Sequence, residues 1–225
     1  MDIIPAIDIK NGKVVKAFSG NRNNYSPISK FYNQSANPII FINSLIEKYG
    51  PKTIYIADID SLDEATNNFH LIELISKRYP NINIWLDSGN IYKYTFKNKN
   101  IEPILCSEKC KRIVNINYKY KKHIHSYDYR ESFVGDSYFK NLQSKYKNKV
   151  IIMNISAVGT GQGPDFKKMK LEKKQRGIKY YFAGGIRSLM DIYRLKHMGV
   201  DGVLVSSLLF ENKTNSFLIK KRAGI

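Results

Sequence analysis

Polar residues recur in this chain where apolar runs stop. Residues 3–9 form such a run and carry Asp8 near its end, Asp58 and Asp60 follow residues 53–57, and Asp87 follows residues 82–86. Asp128 follows residues 123–127, and Asn154 closes the run at 150–155 ahead of a glycine-rich loop that contains Gly159. A carboxylate at the carboxyl end of a buried strand must be solvated, paired or functional. Gly184 and Gly185 follow the run at 180–183, and Ser206 and Ser207 follow the run at 203–205. Glycines let a backbone approach a ligand closely, and the free N–H groups of the next helical turn suit a phosphate. A plain tight turn would also explain a glycine pair. Two points favour the anion: the neighbouring run ends in hydroxyls, and (β/α)8 barrels often hold a phosphate between the loops after strands seven and eight. The expected phosphate contacts are Gly184, Gly185, Ile186, Ser206 and Ser207.

These residues need a scaffold, and 179–210 shows its unit. It reads strand, glycine turn, helix, strand, with Leu189, Ile192, Leu195 and Met198 at helical spacing and Gly199 as the stop. The two strands of such a βαβ unit lie parallel with a right-handed crossover. Further strands are expected at 3–9, 53–57, 82–86, 103–106, 123–127 and 150–155, with a hairpin partner at 13–18. Asn37 and Pro38 open a helix with Ile42, Leu45 and Ile46 on its apolar face, ending at Gly50. Other helices are expected at 64–79, 137–146, from Pro164 onward and at 215–221, with one more within 107–122. The polar segment at 90–100 leaves little room for a helix. Trp85 sits in a strand expected to be buried on both faces, so it belongs to the core. The polar loop GNRNNYSPIS, with Arg22 and Tyr25, is long enough to fold over a site.

Eight strands alternating with crossovers fit a closed parallel barrel or an open doubly wound sheet. No early GxGxxG supports the dinucleotide-binding version. A fourfold internal echo favours the barrel: PAIDIK with SYDYRE, TIYIADIDS with VIIMNISAV, IWLDSGNI with YYFAGGIR, and PILCSE with GVLVSSL. The expectation is an α/β fold, a (β/α)8 TIM barrel with reduced helices after the third and fourth strands. It forms one domain over 1–225, built from two similar half-barrels at about 1–120 and 121–225.

The chain has 225 residues, 43% hydrophobic and 12% aromatic, which excludes disorder as its default. No apolar run approaches the roughly 20 residues of a membrane helix, and no basic segment precedes the first apolar residues. Cys106 and Cys110 read as reduced thiols of a cytoplasmic protein. The four histidines lack a metal-binding spacing. Asp8, Asp58 and Asp87 together could hold a divalent cation, but the preferred reading includes no metal and no cofactor. The net charge of +18 admits two readings. One is a nucleic-acid partner. The other is compositional bias, since Lys, Asn, Ile and Tyr are all abundant and the lysines are spread along the chain. The second is preferred; the charge would still attract a phosphorylated metabolite. The oligomeric state is left open.

The chain resembles the HisA/HisF superfamily of phosphoribosyl (β/α)8 barrels in histidine biosynthesis. IPAIDIKNGKVV, IYIADIDSL, HSYDYRE and FAGGIRSLMDIYRLKHMGVDGVLVSSLLFENK carry the likeness across nearly the whole chain. GNRNNYSPI, WLDSG and ISAVGTGQGPDF resemble a HisA-related branch of methanogens and methylotrophs. The resemblance implies that Asp8 and Asp128 match the general base and general acid of an Amadori-type isomerisation. Opening an aminoaldose ring needs an acid, and moving the C2 proton needs a base. Two carboxyls in different surroundings can hold the two protonation states. The bland alternative is that both bind loop backbones.

The departures are as informative. HisA grips a phosphate at each end of its substrate with glycine-rich turns after strands three and seven. Here the first of these has become Asp87, Ser88 and Gly89. A carboxylate beside a phosphate dianion is repulsive, so one phosphate site is expected. At the sixth strand HisA carries TDISRDGT, where this chain reads MNISAVGT from Met153. Both carboxylates of that motif are gone. The resulting expectation is a HisA-like enzyme that isomerises a monophosphorylated, sugar-phosphate-like molecule by proton transfer, outside the histidine pathway. Arg22, Asp58, Asp87, Asn154 and Gly159 are further candidate contacts. The alternatives are a catalytically reduced phosphate-binding barrel and a nucleic-acid-associated basic protein. No lysine stands at a strand end to support Schiff-base chemistry.

Overall fold

A computed structural model describes residues 1–89, 96–110, 123–141, 147–172 and 175–210. Its first strand, β1 (Asp2–Lys10), turns at Asn11 and Gly12 into β2 (Lys13–Lys16), which pairs with it antiparallel and leads to the short β3 (Ser26–Pro27). Seven further strands follow: β4 (Thr53–Asp58), β5 (Asn83–Asp87), β6 (Ile101–Cys106), β7 (His123–Tyr129), β8 (Lys147–Asn154), β9 (Lys179–Ala183) and β10 (Gly202–Val205). β1 and β4 to β10 pair in parallel in chain order, and β10 pairs back onto β1, so eight parallel strands close into a barrel.

Each strand alternates between two cores. Ile54 and Ile56 of β4 join the outer cluster under the helices, whereas Tyr55 and Ala57 join the inner cluster that fills the barrel. Trp85 is in the inner cluster as well, edge to face with Tyr181 at 4.8 Å. Burial on both faces explains why these strands read as nearly continuous apolar runs.

The α1 helix (Pro38–Tyr49) starts as expected: the Asn37 side chain accepts from the N–H groups of Ile39 and Ile40, and Gly50 ends it in the left-handed region. The α5 helix (Leu189–His197) is capped by Ser188, whose hydroxyl accepts from Asp191 N–H, and buries Ile192 and Leu195. Gly199 lies beyond it at φ 76°.

The helix expected at 64–79 is shorter than the sequence suggested. A four-residue α2 (Ile59–Leu62) follows β4 directly, and α3 starts only at Phe69 and runs to Arg78. Glu64 adopts φ 58°, outside the helical region. Asn68 is committed elsewhere: its backbone N–H reaches Asp58 Oδ2 at 2.8 Å, and its side-chain amide reaches Asp58 Oδ1 and Asp60 Oδ2, both at 2.7 Å. These bonds hold 63–68 as a loop. The segment before β9 carries α4 (Phe166–Leu171), capped by Asp165, and a last short helix, α6 (Ser207–Phe210), follows β10. Between β7 and β8 the described part is a 3-10 turn, Ser137–Asn141, where a helix to 146 was expected. Among the described residues no helix lies between β5 and β6 or between β6 and β7. Much of the helix expected within 107–122, and the one at 215–221, falls outside the described residues.

Candidate active site at the barrel mouth

A cavity of about 430 Å³ opens at the carboxyl ends of the strands. Its wall includes Asp8, Arg22, Tyr25, Tyr55, Asp87, Cys106, Glu108, Asp128, Gly159, Gly184, Gly185, Ile186, Ser206 and Ser207. In register, Asp8 pairs beside Ala57 and Ala57 beside Asp87, while Asp128 pairs beside Met153 and Met153 beside Ala183. Side chains two residues apart share a face of a strand. Hence Asp8 follows the inner-cluster residues Ile4 and Ala6, Asp87 follows Trp85, and Asp128 follows Ile124 of that cluster and the buried Ser126.

The three carboxyls differ in their partners. Asp128 accepts from Ser126 Oγ at 2.6 Å on one oxygen, and from Glu108 N–H at 3.0 Å and Ser107 Oγ at 3.2 Å on the other. Asp87 accepts from the Tyr55 hydroxyl at 2.9 Å on Oδ2, whereas its buried Oδ1 has no hydrogen-bond partner among the described residues. Asp8 accepts no hydrogen bond among the described residues and is only partly covered. Burial raises all three from the ordinary 3.8. Asp8 is pushed up to about 7, where Arg22 offsets part of the effect and Asp87 adds to it. Asp128 is pushed up to about 7 by burial and then by Asp87, against its hydrogen bonds from Ser126 and Glu108. Asp87 is pushed up to about 6, with the Tyr55 hydrogen bond resisting. The Cys106 thiol is driven upward by burial and then by Asp87, so it stays protonated and is no nucleophile at neutral pH.

Arg22 enters from the loop after β2. Burial opposes its charge, but Glu108 and then Asp63 outweigh that and hold it protonated. It pairs with both, bridging the loops that follow β4 and β6. The same loop is fastened to the one after β8, by Ser19 N–H on Val158 O at 2.7 Å and Ser19 Oγ on Ser156 O at 3.1 Å. Gly159 permits this approach: it adopts φ 70°, and a Cβ there would lie 1.9 Å from Ala17 O.

Gly184 and Gly185 adopt φ 95° and 81°, and a Cβ on either would strike a backbone carbonyl, of Asn154 or of Gly163 respectively. The glycine pair therefore packs β9 against the loop after β8, and it also forms the cavity wall together with Ile186, Arg187 and Ser188. Two of the residues singled out from the sequence do not reach the wall. Asp58 is fully buried and spends its oxygens on Ser61 and Asn68. Asn154 is buried behind Gly184. Conversely, Tyr55, Cys106, Glu108 and Arg187 line the cavity without having been singled out. Tyr55 and Cys106 could have been found by counting in twos along their strands, since Tyr55 precedes Ala57 and Cys106 follows Ile104. Among the described residues no three His, Cys, Asp or Glu side chains group closely enough to hold a metal ion.

A parallel eight-stranded barrel that gathers its ionisable groups at the carboxyl ends of the strands is the (β/α)8 architecture. The family described as "Histidine biosynthesis protein" matches residues 2–100 and 106–215, and the chain belongs to it. It is 30% identical over 213 residues to an uncharacterized protein of Methanocaldococcus jannaschii, covering 93% of each chain. It is 27% identical over 239 residues to a Bacillus cereus isomerase, covering 95% of each, and 26% identical over 238 residues to one from Lactococcus lactis, covering 96% of this chain and 94% of that one. Both isomerases are named for an imidazole-4-carboxamide that carries two 5-phosphoribosyl groups. Among the described residues no helix is long and apolar enough to cross a membrane.

Proposed function

We propose that this chain is a proton-transfer isomerase of a small, sugar-phosphate-like molecule bearing one phosphate. The observation that carries this reading is the pair Asp8 and Asp128, which line one cavity in contrasting surroundings, each with a pKa near neutrality. The phosphate would lie against Gly184, Gly185, Ile186, Ser206 and Ser207. Asp128 in its acid form gives a proton to the ring oxygen and opens the sugar. Asp8 as carboxylate removes the C2 proton. Asp8 then returns that proton to C1, and Asp128, now a carboxylate, takes the C2 hydroxyl proton as C2 becomes a carbonyl. A pKa near 7 suits both roles, since each group must be able to gain and lose its proton at neutral pH. Asp87 supports a single phosphate, because its carboxyl lines the cavity where the two-phosphate isomerases of the resembling family place a glycine-rich turn.

The test is proton exchange. The protein is incubated in D2O with aldose and aminoaldose monophosphates, and deuterium at C1 and C2 is followed by NMR. The expected result is incorporation that is lost in both Asp8→Asn and Asp128→Asn while each variant stays folded by circular dichroism. Undiminished exchange in both variants would overturn the proposal. The loss of both sixth-strand carboxylates of the HisA motif favours a second reading, a ligand-binding barrel without turnover; saturable phosphate binding with no exchange is its signature.

A further inference from the structure

The chain carries 37 basic residues against 19 acidic ones, yet its cavity wall holds Asp8, Asp87, Glu108 and Asp128. Among the described residues Arg22 and Arg187 are the cations of that wall; Arg22 offsets only part of the burial effect on Asp8 and Asp87, and both arginines make their ion pairs elsewhere. Arg22 is taken by Glu108 and Asp63. Arg187 points to Gln162 O and Asp191. Asp8, Asp87 and Asp128 thus form a negative floor inside a positive protein.

Asp87 is the informative member. Only 6% of its surface is exposed, one oxygen takes the Tyr55 hydroxyl, and the other is buried without a hydrogen-bond partner among the described residues. The Cys106 thiol beside it is only a weak donor. A buried acceptor without a donor is costly, and a ligand that brings the donor relieves it. The barrel order sets where that donor must lie. β5 and β9 are the third and seventh of eight strands in a closed ring, so Asp87 stands diametrically across the mouth from Gly184 and Gly185. The open acceptor is a single carboxyl oxygen facing a turn suited to an anion, and a hydrogen-bond donor on an organic cation complements it.

Building on the phosphate reading above, we infer that the cup takes a zwitterionic substrate: its phosphate sits at the Gly184–Gly185 side, and a protonated amine or amidine sits on the Asp87 carboxylate opposite. The cation supplies the missing donor to Asp87 Oδ1. It also lowers the repulsion among the three carboxyls, so that Asp8 becomes ionised as the substrate arrives.

The probes are ω-aminoalkyl phosphates, from aminoethyl to aminopentyl, each compared with the n-alkyl phosphate of the same length by titration calorimetry. At the best length the amine should bind at least about tenfold more tightly, the range of a charge-assisted hydrogen bond in a desolvated site. That preference should shrink to about threefold or less in Asp87→Asn. Wild-type protein supplies a second readout that needs no variant: at pH 6 to 7 binding of the amine should release more protons than binding of the alkyl phosphate of the same length, seen as a steeper dependence of the heat on buffer ionisation, since the phosphate's own titration is common to both. Alkyl phosphates that bind as tightly as their amino partners, with equal proton release, overturn this inference and leave the phosphate reading intact. Failure of both probe sets to bind overturns both.

Discussion

Asp8 and Asp128 belong to the first and fifth strands of a closed ring of eight, so they face each other across the barrel mouth. Asp87 and the Gly184–Gly185 bend occupy the perpendicular diameter. The cup is therefore quartered. One axis carries two carboxyls suited to moving protons, and the other runs from a carboxyl to a glycine turn suited to an anion.

The first axis predicts the kinetics. Asp8→Asn and Asp128→Asn should each slow C2 proton exchange by about a hundredfold or more, the usual contribution of a positioned acid or base. The wild-type rate should follow a narrow bell centred near pH 7, because one group must be ionised and the other protonated while both titrate near that value. The limbs report the pair rather than either residue. Exchange measured from pH 5 to 9 checks this, and a flat profile would contradict it.

The same carboxyls predict how stability varies with pH. A carboxyl raised from 3.8 to about 7 holds a proton in the folded protein that the unfolded chain has released. Stability therefore falls as pH rises through that window, and the full penalty is present above pH 7. Asp8→Asn should stabilise the protein at pH 8 by about 1–3 kcal/mol and change little at pH 4. Urea unfolding at the two pH values reads the difference.

Tyr55→Phe removes the hydroxyl hydrogen bond on Asp87 Oδ2. The Asp87 pKa should climb from about 6, and the protein should lose about 1–2 kcal/mol at pH 8 through the unsatisfied carboxylate. At pH 4, where the carboxyl is neutral, the loss should be smaller. The carboxyl carbon shift of Asp87, followed by NMR against pH, shows the midpoint directly.

Gly159→Ala should be severe. Its Cβ would meet Ala17 O at 1.9 Å, at a φ of 70° that side chains rarely adopt. We expect a loss of about 2–4 kcal/mol and faster proteolysis within residues 17–25, because the contact that seats this loop against the one after β8 must open.

The eight strands were legible because burial on both faces writes them as apolar runs, and α1 was legible because Asn37, Pro38 and Gly50 act locally. The start of α3 was not, since Asn68 answers to Asp58 and Asp60, and that is a tertiary bond with no trace in helical periodicity. The cavity residues divide in the same way. Asp8, Asp87 and Asp128 announce themselves as polar stops to apolar runs. Glu108 and Arg187 lie in loops, where no period tells which way a side chain points.

Below the carboxyls the barrel is plugged, for Trp85 and Tyr181 cross edge to face at 4.8 Å and Gly202 leaves room for the tyrosine ring. Lys149 lies over Trp85 and pairs with Glu102 at the other end of the strands. Traffic through the cup is thus one-ended, and the amino end of the barrel is free for handling. A dye, a surface tether or a fused partner attached at Lys52 or Lys179 would leave the route of the ligand untouched.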